Sequence, residues 1–298
     1  FFKIFAKNYP QGFGSFLAIV GVLILTPDTM VMRFSNLERW ELMGCRGILM
    51  GVTLFFIWYF FFKSGPINKL SSICSLNGLI FILVFSANSI CFTLGIIETS
   101  VMVVLTAVAT MPVFAALLSI VMMKESQSFV GWITIITAMV GVFIVVSDGN
   151  NAVGKPEGSV MIGAIYGLGT AICLALNFTM VRKLPELEVM PASALGAFLS
   201  GIIGFAFSSD LNFYNVPLWT LISMGSVILP LSFTLLLISA KYTSSAVVSL
   251  IMLLEMVIGP FWVWLGVGEK PSFVMISGAF LVLIAIIFHI SFAKFKQT

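Results

Sequence analysis

Apolar runs of about twenty residues, the length a helix needs to cross roughly 30 Å of hydrocarbon, alternate along this chain with short clusters that carry its charge. The runs fall at 12–33, 40–62, 73–95, 99–122, 129–147, 159–181, 191–209, 217–239, 243–266 and 272–293. Helix is the conformation that pairs backbone N–H and C=O groups within one segment, and lipid offers those groups no other partner. Alternating strands separated by turns, the mark of a membrane barrel, do not occur in the sequence. The pattern therefore predicts an all-α membrane protein with ten transmembrane helices.

Composition strengthens this reading. Apolar residues make up 60% of the 298 positions, charged residues 9%, and the mean hydropathy is +1.13. A soluble domain carries about a quarter charged residues, so this chain has too few to cover itself in water. Lys3 and Lys7 precede the first run, but no small-residue cleavage site follows it, which predicts a retained first span.

Lys and Arg set the expected orientation. With both termini in the cytoplasm, the inner side holds ten of them: Lys3, Lys7, Lys63, Lys69, Lys124, Arg182, Lys183, Lys241, Lys294 and Lys296. The outer side holds five, Arg33, Arg39, Arg46, Lys155 and Lys270. The expectation is an integral protein of a bacterial cytoplasmic membrane with both termini cytoplasmic. Trp40, Trp219 and Trp264 then fall near the outer interface, and Trp58 and Trp132 near the inner one.

The longest polar connection, Ser147–Glu157, follows the fifth run and divides the chain into 1–150 and 151–298. The two parts align across it. Thr99-Ser100 matches Thr243-Ser244, Val103-Val104 matches Val247-Val248, Val113 matches Val257, and Glu125 matches Glu269. Spans one and six match at Gly14 and Gly163, Asp28 and Asn177, and Arg33 and Arg182. Five is odd, so the second part enters from the opposite side. The expectation is two inverted five-helix repeats with a substrate site near the midplane between them.

The segments TSVMVVLTAVATMPVFAALLSIVMMKE (99–125) and TSSAVVSLIMLLEMVIGPFWVWLGVGE (243–269) share a Thr-Ser start, a mid-helix Pro or Glu, small residues and a terminal Glu. In these features the chain resembles the drug/metabolite transporter superfamily, specifically its EamA-type members. The family's usual Glu-Pro pair in span nine reads Glu255-Met256 here, with the proline displaced to Pro260. The resemblance implies a central cavity formed mainly by spans one, three, four, six, eight and nine, and it leans towards export.

Charged groups inside hydrocarbon are costly and mark functional sites by default. Three are candidates. Asp28 follows Pro27 about five residues from the outer end of span one, and Arg46 lies about six residues into span two from the same side. At 1.5 Å rise per residue both sit roughly 8–10 Å below the outer interface, which predicts a salt bridge that clamps two helices, gates a vestibule or grips a zwitterion. Glu255 lies near the midplane of span nine with Gly259 and Trp262 on the same face. A carboxylate beside an indole suits an ammonium group through charge and cation–π attraction, and a carboxyl at that depth is a candidate to carry a coupling proton. A protonated Glu bonded to a neighbouring helix is the plainer alternative.

Span three offers Asn77, Phe81, Val84 and Asn88 on one face with Ser89 beside it, a polar stripe for a wet cavity or for inter-helix hydrogen bonds. Asn177, the mate of Asp28, invites the same two readings. Pro112, Pro230 and Pro260 fall mid-span, where each removes a backbone hydrogen bond and kinks the helix; they are the candidate hinges. Cys45, Cys74, Cys91 and Cys173 form no CxxC or Cys/His pairing and read as small apolar filler, and His289 alone makes no metal site. No phosphate loop, HExxH or basic stripe occurs, so no cofactor and no nucleic acid is expected.

The best reading is a secondary transporter that moves a small polar metabolite, an amino acid, amine or related zwitterion or cation, by alternating access. Its partners would be that substrate, the bilayer and a coupling proton. A membrane enzyme on lipid or isoprenoid substrates is one rival, but Glu125, Glu186 and Glu188 lack the His or metal arrangement it needs. A non-transporting partner subunit is the other, and it would not need intramembrane charges.

Overall fold

The computed structural model describes residues 9–62, 72–123, 129–209, 216–243 and 245–295. Among them every regular element is a helix, apart from one isolated antiparallel bridge between Val153 and Lys270. In chain order the helices are α1 (Pro10–Leu25), α2 (Asp28–Phe34), α3 (Arg39–Ile57), α4 (Leu76–Glu98), α5 (Val101–Val108), α6 (Met111–Met123) and α7 (Phe129–Asp148). After the polar connection come α8 (Val160–Lys183), α9 (Val189–Phe207), α10 (Leu218–Leu221), α11 (Leu229–Tyr242), α12 (Ser245–Ile251), α13 (Leu253–Val267) and α14 (Phe273–Phe295). Serines start several of them by accepting an orphan N–H of the first turn: Ser75 from Gly78, Ser100 from Val103 and Ser159 from Ile162.

Eight stretches are long and apolar enough to cross a membrane: Gln11–Phe34, Arg39–Phe61, Leu76–Glu98, Val101–Met122, Val160–Lys183, Val189–Phe207, Leu218–Tyr242 and Val247–Val267. The fifth and tenth predicted runs appear as α7 and α14, whose apolar portions are shorter, Ile136–Asn151 and Phe273–Ala285. The outer surface is itself apolar. Phe60, Phe61, Phe143, Phe207, Phe273 and Phe280 all point outward, which suits lipid rather than water, and the chain is an integral membrane protein.

Three spans are interrupted. The first breaks at Thr26-Pro27 between α1 and α2, because Pro27 cannot continue the ladder. The fourth breaks at Ala109-Thr110 between α5 and α6, and the ninth at Met252 between α12 and α13. In the eighth, the Ile222–Ile228 stretch winds as π-helix before α11. Of the candidate hinges, Pro112 begins α6 directly after a break and Pro230 begins α11 directly after the π-helical stretch. Pro260 is different: it sits inside continuous α13, and the ninth span bends eight residues earlier, at Met252. Glu125, aligned with Glu269, lies outside the described residues.

The main helix pairs are α3 with α9, α7 with α14, α4 with α8, and α1 with α11. Around these, α5 and α6 pack on α8, and α13 packs on α2 and α1. Small residues allow the closest crossings, as is common in lipid. A Cβ on Gly201 would stand 2.6 Å from Ile48 N, and one on Gly204 would stand 2.8 Å from Gly44 Cα. The α7–α14 crossing uses the same device, since a Cβ on Gly278 would meet the Gly141 carbonyl at 2.9 Å.

Candidate functional site

The breaks in the first, fourth and ninth spans converge at one level, and a narrow cavity opens beside them. Leu25 borders it at the end of α1, Val108 at the end of α5, and Met252 and Glu255 at the α12–α13 junction. The second span adds Arg46 and Met50, α4 adds Phe85, Asn88, Ser89 and Phe92, α8 adds Thr170 and Leu174, and α11 adds Leu229 and Phe233. Elements from both sides of the polar connection therefore line one space. All six spans expected to form the cavity do so, and the second joins them.

Arg46 is held by the expected ion pair: its Nη2 lies 2.7 Å from Asp28 Oδ2, and both side chains are almost fully buried. The guanidinium carbon stands 5.4 Å from the centroid of the Phe92 ring, close enough for cation–π attraction. The pair leaves Arg46 Nη1 and Asp28 Oδ1 buried without a hydrogen-bonding partner among the described residues. Glu255 is buried across the same cavity in the first turn of α13, its Oε1 also without a partner, and Asp28 and Arg46 are the charges that act on it. Asn88 Oδ1 completes the set of unpartnered polar atoms on cavity-lining residues. Buried polar groups are normally paired, so the three unpartnered atoms of Arg46, Asn88 and Glu255 on its wall make the cavity the candidate site.

The remaining candidates divide. Asn177 is buried on α8 with both side-chain amide atoms unpartnered, one turn beyond the cavity-lining Leu174. Asn77 is not at the site: it is exposed in the first turn of α4, and eleven residues of helix place it about 16 Å from Asn88 along the axis. Trp262 is also elsewhere. It shares a face with Glu255 but lies about 10 Å farther along the helix, where its indole Nε1 donates to Thr26 Oγ1 at 3.2 Å. The carboxylate–indole cradle expected from the spacing does not form. The aromatic wall is instead Phe85, Phe92 and Phe233, with Phe85 and Phe233 in edge contact at 5.4 Å. Their signal in sequence is weak, since scattered Phe residues such as Phe85, Phe92 and Phe233 are common to any lipid-facing helix. The four cysteines are free.

At the end of the bundle away from the N-terminus, called distal here, a second polar cluster is fully used. Arg33 donates through Nη1 to the Ile96 carbonyl at 2.6 Å, and through Nη2 to the Thr99 carbonyl at 2.7 Å and to Glu269 Oε2 at 3.1 Å. Glu269 Oε1 in turn accepts the Val101 N–H at 2.6 Å. Burial pushes the Glu269 carboxyl above its ordinary range, and Arg33, the Val101 N–H and Lys155 pull it part of the way back. Beside it Glu98 accepts the Ser159 N–H and pairs with Arg39 at 3.5 Å, and Ser272 bonds Asp148. Sequence analysis placed Arg33 and Glu269 in the repeat but did not connect them, because the contact spans the whole chain.

A family model described as the EamA-like transporter family matches this sequence twice, over residues 12–147 and 161–291. None of the curated proteins matches the sequence. A crystal structure of a protein similar in fold covers 92% of this chain and 94% of its own, with a TM-score of 0.63 at 11% sequence identity. That likeness concerns the fold alone.

Proposed function

Because the chain belongs to the EamA-like transporter family, we propose that it is a secondary transporter that moves a small polar metabolite, an amino acid, amine or related zwitterion or cation, by alternating access. The observation that carries this reading is a polar-lined cavity to which both matched regions contribute. There Arg46 Nη1, Asn88 Oδ1 and Glu255 Oε1 are buried and unpartnered. A guanidinium donor suits a carboxylate, and a carboxylate and an amide oxygen suit an ammonium group. Glu255, with no fixed counter-ion of its own, is the group that would carry a coupling proton.

The proposed architecture is ten spans in two inverted repeats, with α7 and α14 completing the crossings. Its support is internal. Exchanging each helix with its aligned mate turns the α4–α8 pair into the α11–α1 pair and the α6–α8 pair into the α13–α2 contact, and it leaves α3–α9 and α7–α14 unchanged. Lys and Arg counts favour both termini on the cytoplasmic side of a bacterial inner membrane. A Cys at Asn150, an exposed position, should then react with an impermeant thiol reagent outside intact cells. Reaction only after lysis reverses the orientation.

The direct test is counterflow of labelled amino acids, amines and sugars in proteoliposomes, with Glu255→Gln and Arg46→Gln as controls. Uptake of an amino-bearing solute that both substitutions abolish is the expected result. If both variants move a confirmed substrate at the wild-type rate and affinity, the site assignment is wrong.

A further inference from the structure

The Arg33 cluster lies about one turn beyond Asp28 and takes no part in the cavity. Its position tells what it closes. Ile96 and Thr99 flank the last turn of α4, where carbonyls lack helical partners, and a guanidinium there is also favoured by the helix dipole. Through these contacts Arg33 ties the end of the first span to the third–fourth span junction, and Glu269 adds the end of the ninth span and the start of the fourth. Four spans that surround the cavity are thus gathered at one end around a single half-buried arginine.

The aligned position at the opposite, terminal end is Arg182, at the end of α8. The backbone it would need is already shaped alike. Thr99 and Thr243 both follow their helices in extended conformation, and each donates its N–H to the residue four earlier, Gly95 and Ser239. The mates of the Ile96 and Thr99 carbonyls are those of Ala240 and Thr243. Yet Arg182 is exposed and makes no hydrogen bond or ion pair among the described residues. The neighbouring glycine contacts differ in the same sense. A Cβ on Gly163 would collide with Thr99 Cγ2 at the distal end, whereas one on Gly14 would stand 3.1 Å from Thr243 Cβ at the terminal end. Among the described residues the distal end is drawn tighter than the terminal end.

We propose that Arg33 and Arg182 are the two gate residues of the transport cycle: Arg33 closes the distal end in this structure, and Arg182 closes the terminal end in the opposite state by taking the Ala240 and Thr243 carbonyls. This rests on the inverted-repeat carrier reading and adds to it which side chains exchange partners. Neither gate residue contacts the substrate cavity, so each acts on the equilibrium between the two states.

Accessibility tests this without knowing the substrate. Ser89, on the cavity wall, is changed to Cys in a chain whose four native cysteines are replaced by Ala. Labelling by an impermeant maleimide is then compared between right-side-out and inside-out membrane vesicles. The unmodified background should label mainly from the terminal face. Glu269→Gln and Arg33→Gln should shift the labelling ratio towards the distal face by about fivefold or more, the lower end of coupling between two global states. Arg33→Lys, which keeps the charge and loses the fork, should shift it less. Arg182→Gln alters an exposed side chain, so it does not threaten the fold, and it should move the ratio the other way. The gate assignment fails if Arg182→Gln shifts labelling in the same direction as Glu269→Gln or leaves it unmoved. A reporter labelled equally from both faces, or from neither, in every variant overturns the carrier reading itself, and the gates with it.

Discussion

The first and sixth spans carry the same landmarks in the same order, a glycine, a short polar residue and an arginine, yet they are built differently. The first breaks at Thr26-Pro27 and restarts on Asp28, whereas the sixth runs unbroken as α8, with Leu176 in the place of Pro27. Asp28 holds Arg46 in an ion pair, while its mate Asn177 is buried without a partner. The repeated fold positions two equivalent points beside the cavity and puts an ion-paired carboxyl at only one of them. On the proposed carrier reading, symmetry would supply the two states and its local breach a polar, oriented place for the cargo.

The comparison breaks most readily at Asp28. Removing one partner of a buried ion pair leaves the other charge uncompensated, so Asp28→Asn should cost about 3–5 kcal/mol. Unfolding in detergent with increasing denaturant measures it. Asn177→Ala, measured in the same way, should cost far less, because no hydrogen bond is lost. Equal losses would mean that the two sites are chemically equivalent after all. The double variant Asp28→Asn with Arg46→Gln should regain much of the stability while remaining inactive in counterflow.

A smaller effect separates the two glycines. Gly163→Ala forces a methyl into Thr99 and should cost about 1–3 kcal/mol, and Gly14→Ala should cost less, because its neighbours stand farther away. The same melting series orders them. Smallest is Trp262→Phe, which keeps the ring and deletes the donor to Thr26 beside the break; about 1 kcal/mol is expected. A loss of several kcal/mol there would make Trp262 a prop of the broken first span.

The sequence made the helices and the internal repeat legible because both obey local rules. Lipid imposes run length, and the matched landmarks, from Thr99-Ser100 with Thr243-Ser244 to Arg33 with Arg182, come from a repeat that the eye can slide along itself. The Asp28–Arg46 pair was legible for the same reason, since depth alone placed the two at one level. Direction around the helix axis was much less so. Glu255 and Trp262 share a face, but seven residues of rise carry them to different neighbours. Asn77 and Asn88 share a stripe, but the bundle covers only one of them. Pro260 was misread as the bend because proline permits a kink without requiring one; in lipid the freed carbonyl finds other partners. The break at Met252 has no such marker, and its position is visible only as the counterpart of Ala109-Thr110 in the other repeat. The Arg33–Glu269 contact could not be read at all, since charge complementarity between distant termini of two helices has no spacing to follow.

All four main helix pairs join a helix that precedes the Ser147–Glu157 connection to one that follows it. Consequently the first half of this chain emerges from synthesis without its main packing partners, although the Asp28–Arg46 pair lies wholly within it. Its glycine faces at Gly44, Gly47 and Gly141 must wait in the bilayer until the second half is inserted. A ribosome that stalls near residue 150 would leave not a smaller folded protein but helices without their main partners, open to membrane proteases and to the insertion machinery's chaperones. For this molecule, assembly is an event of the second half of translation.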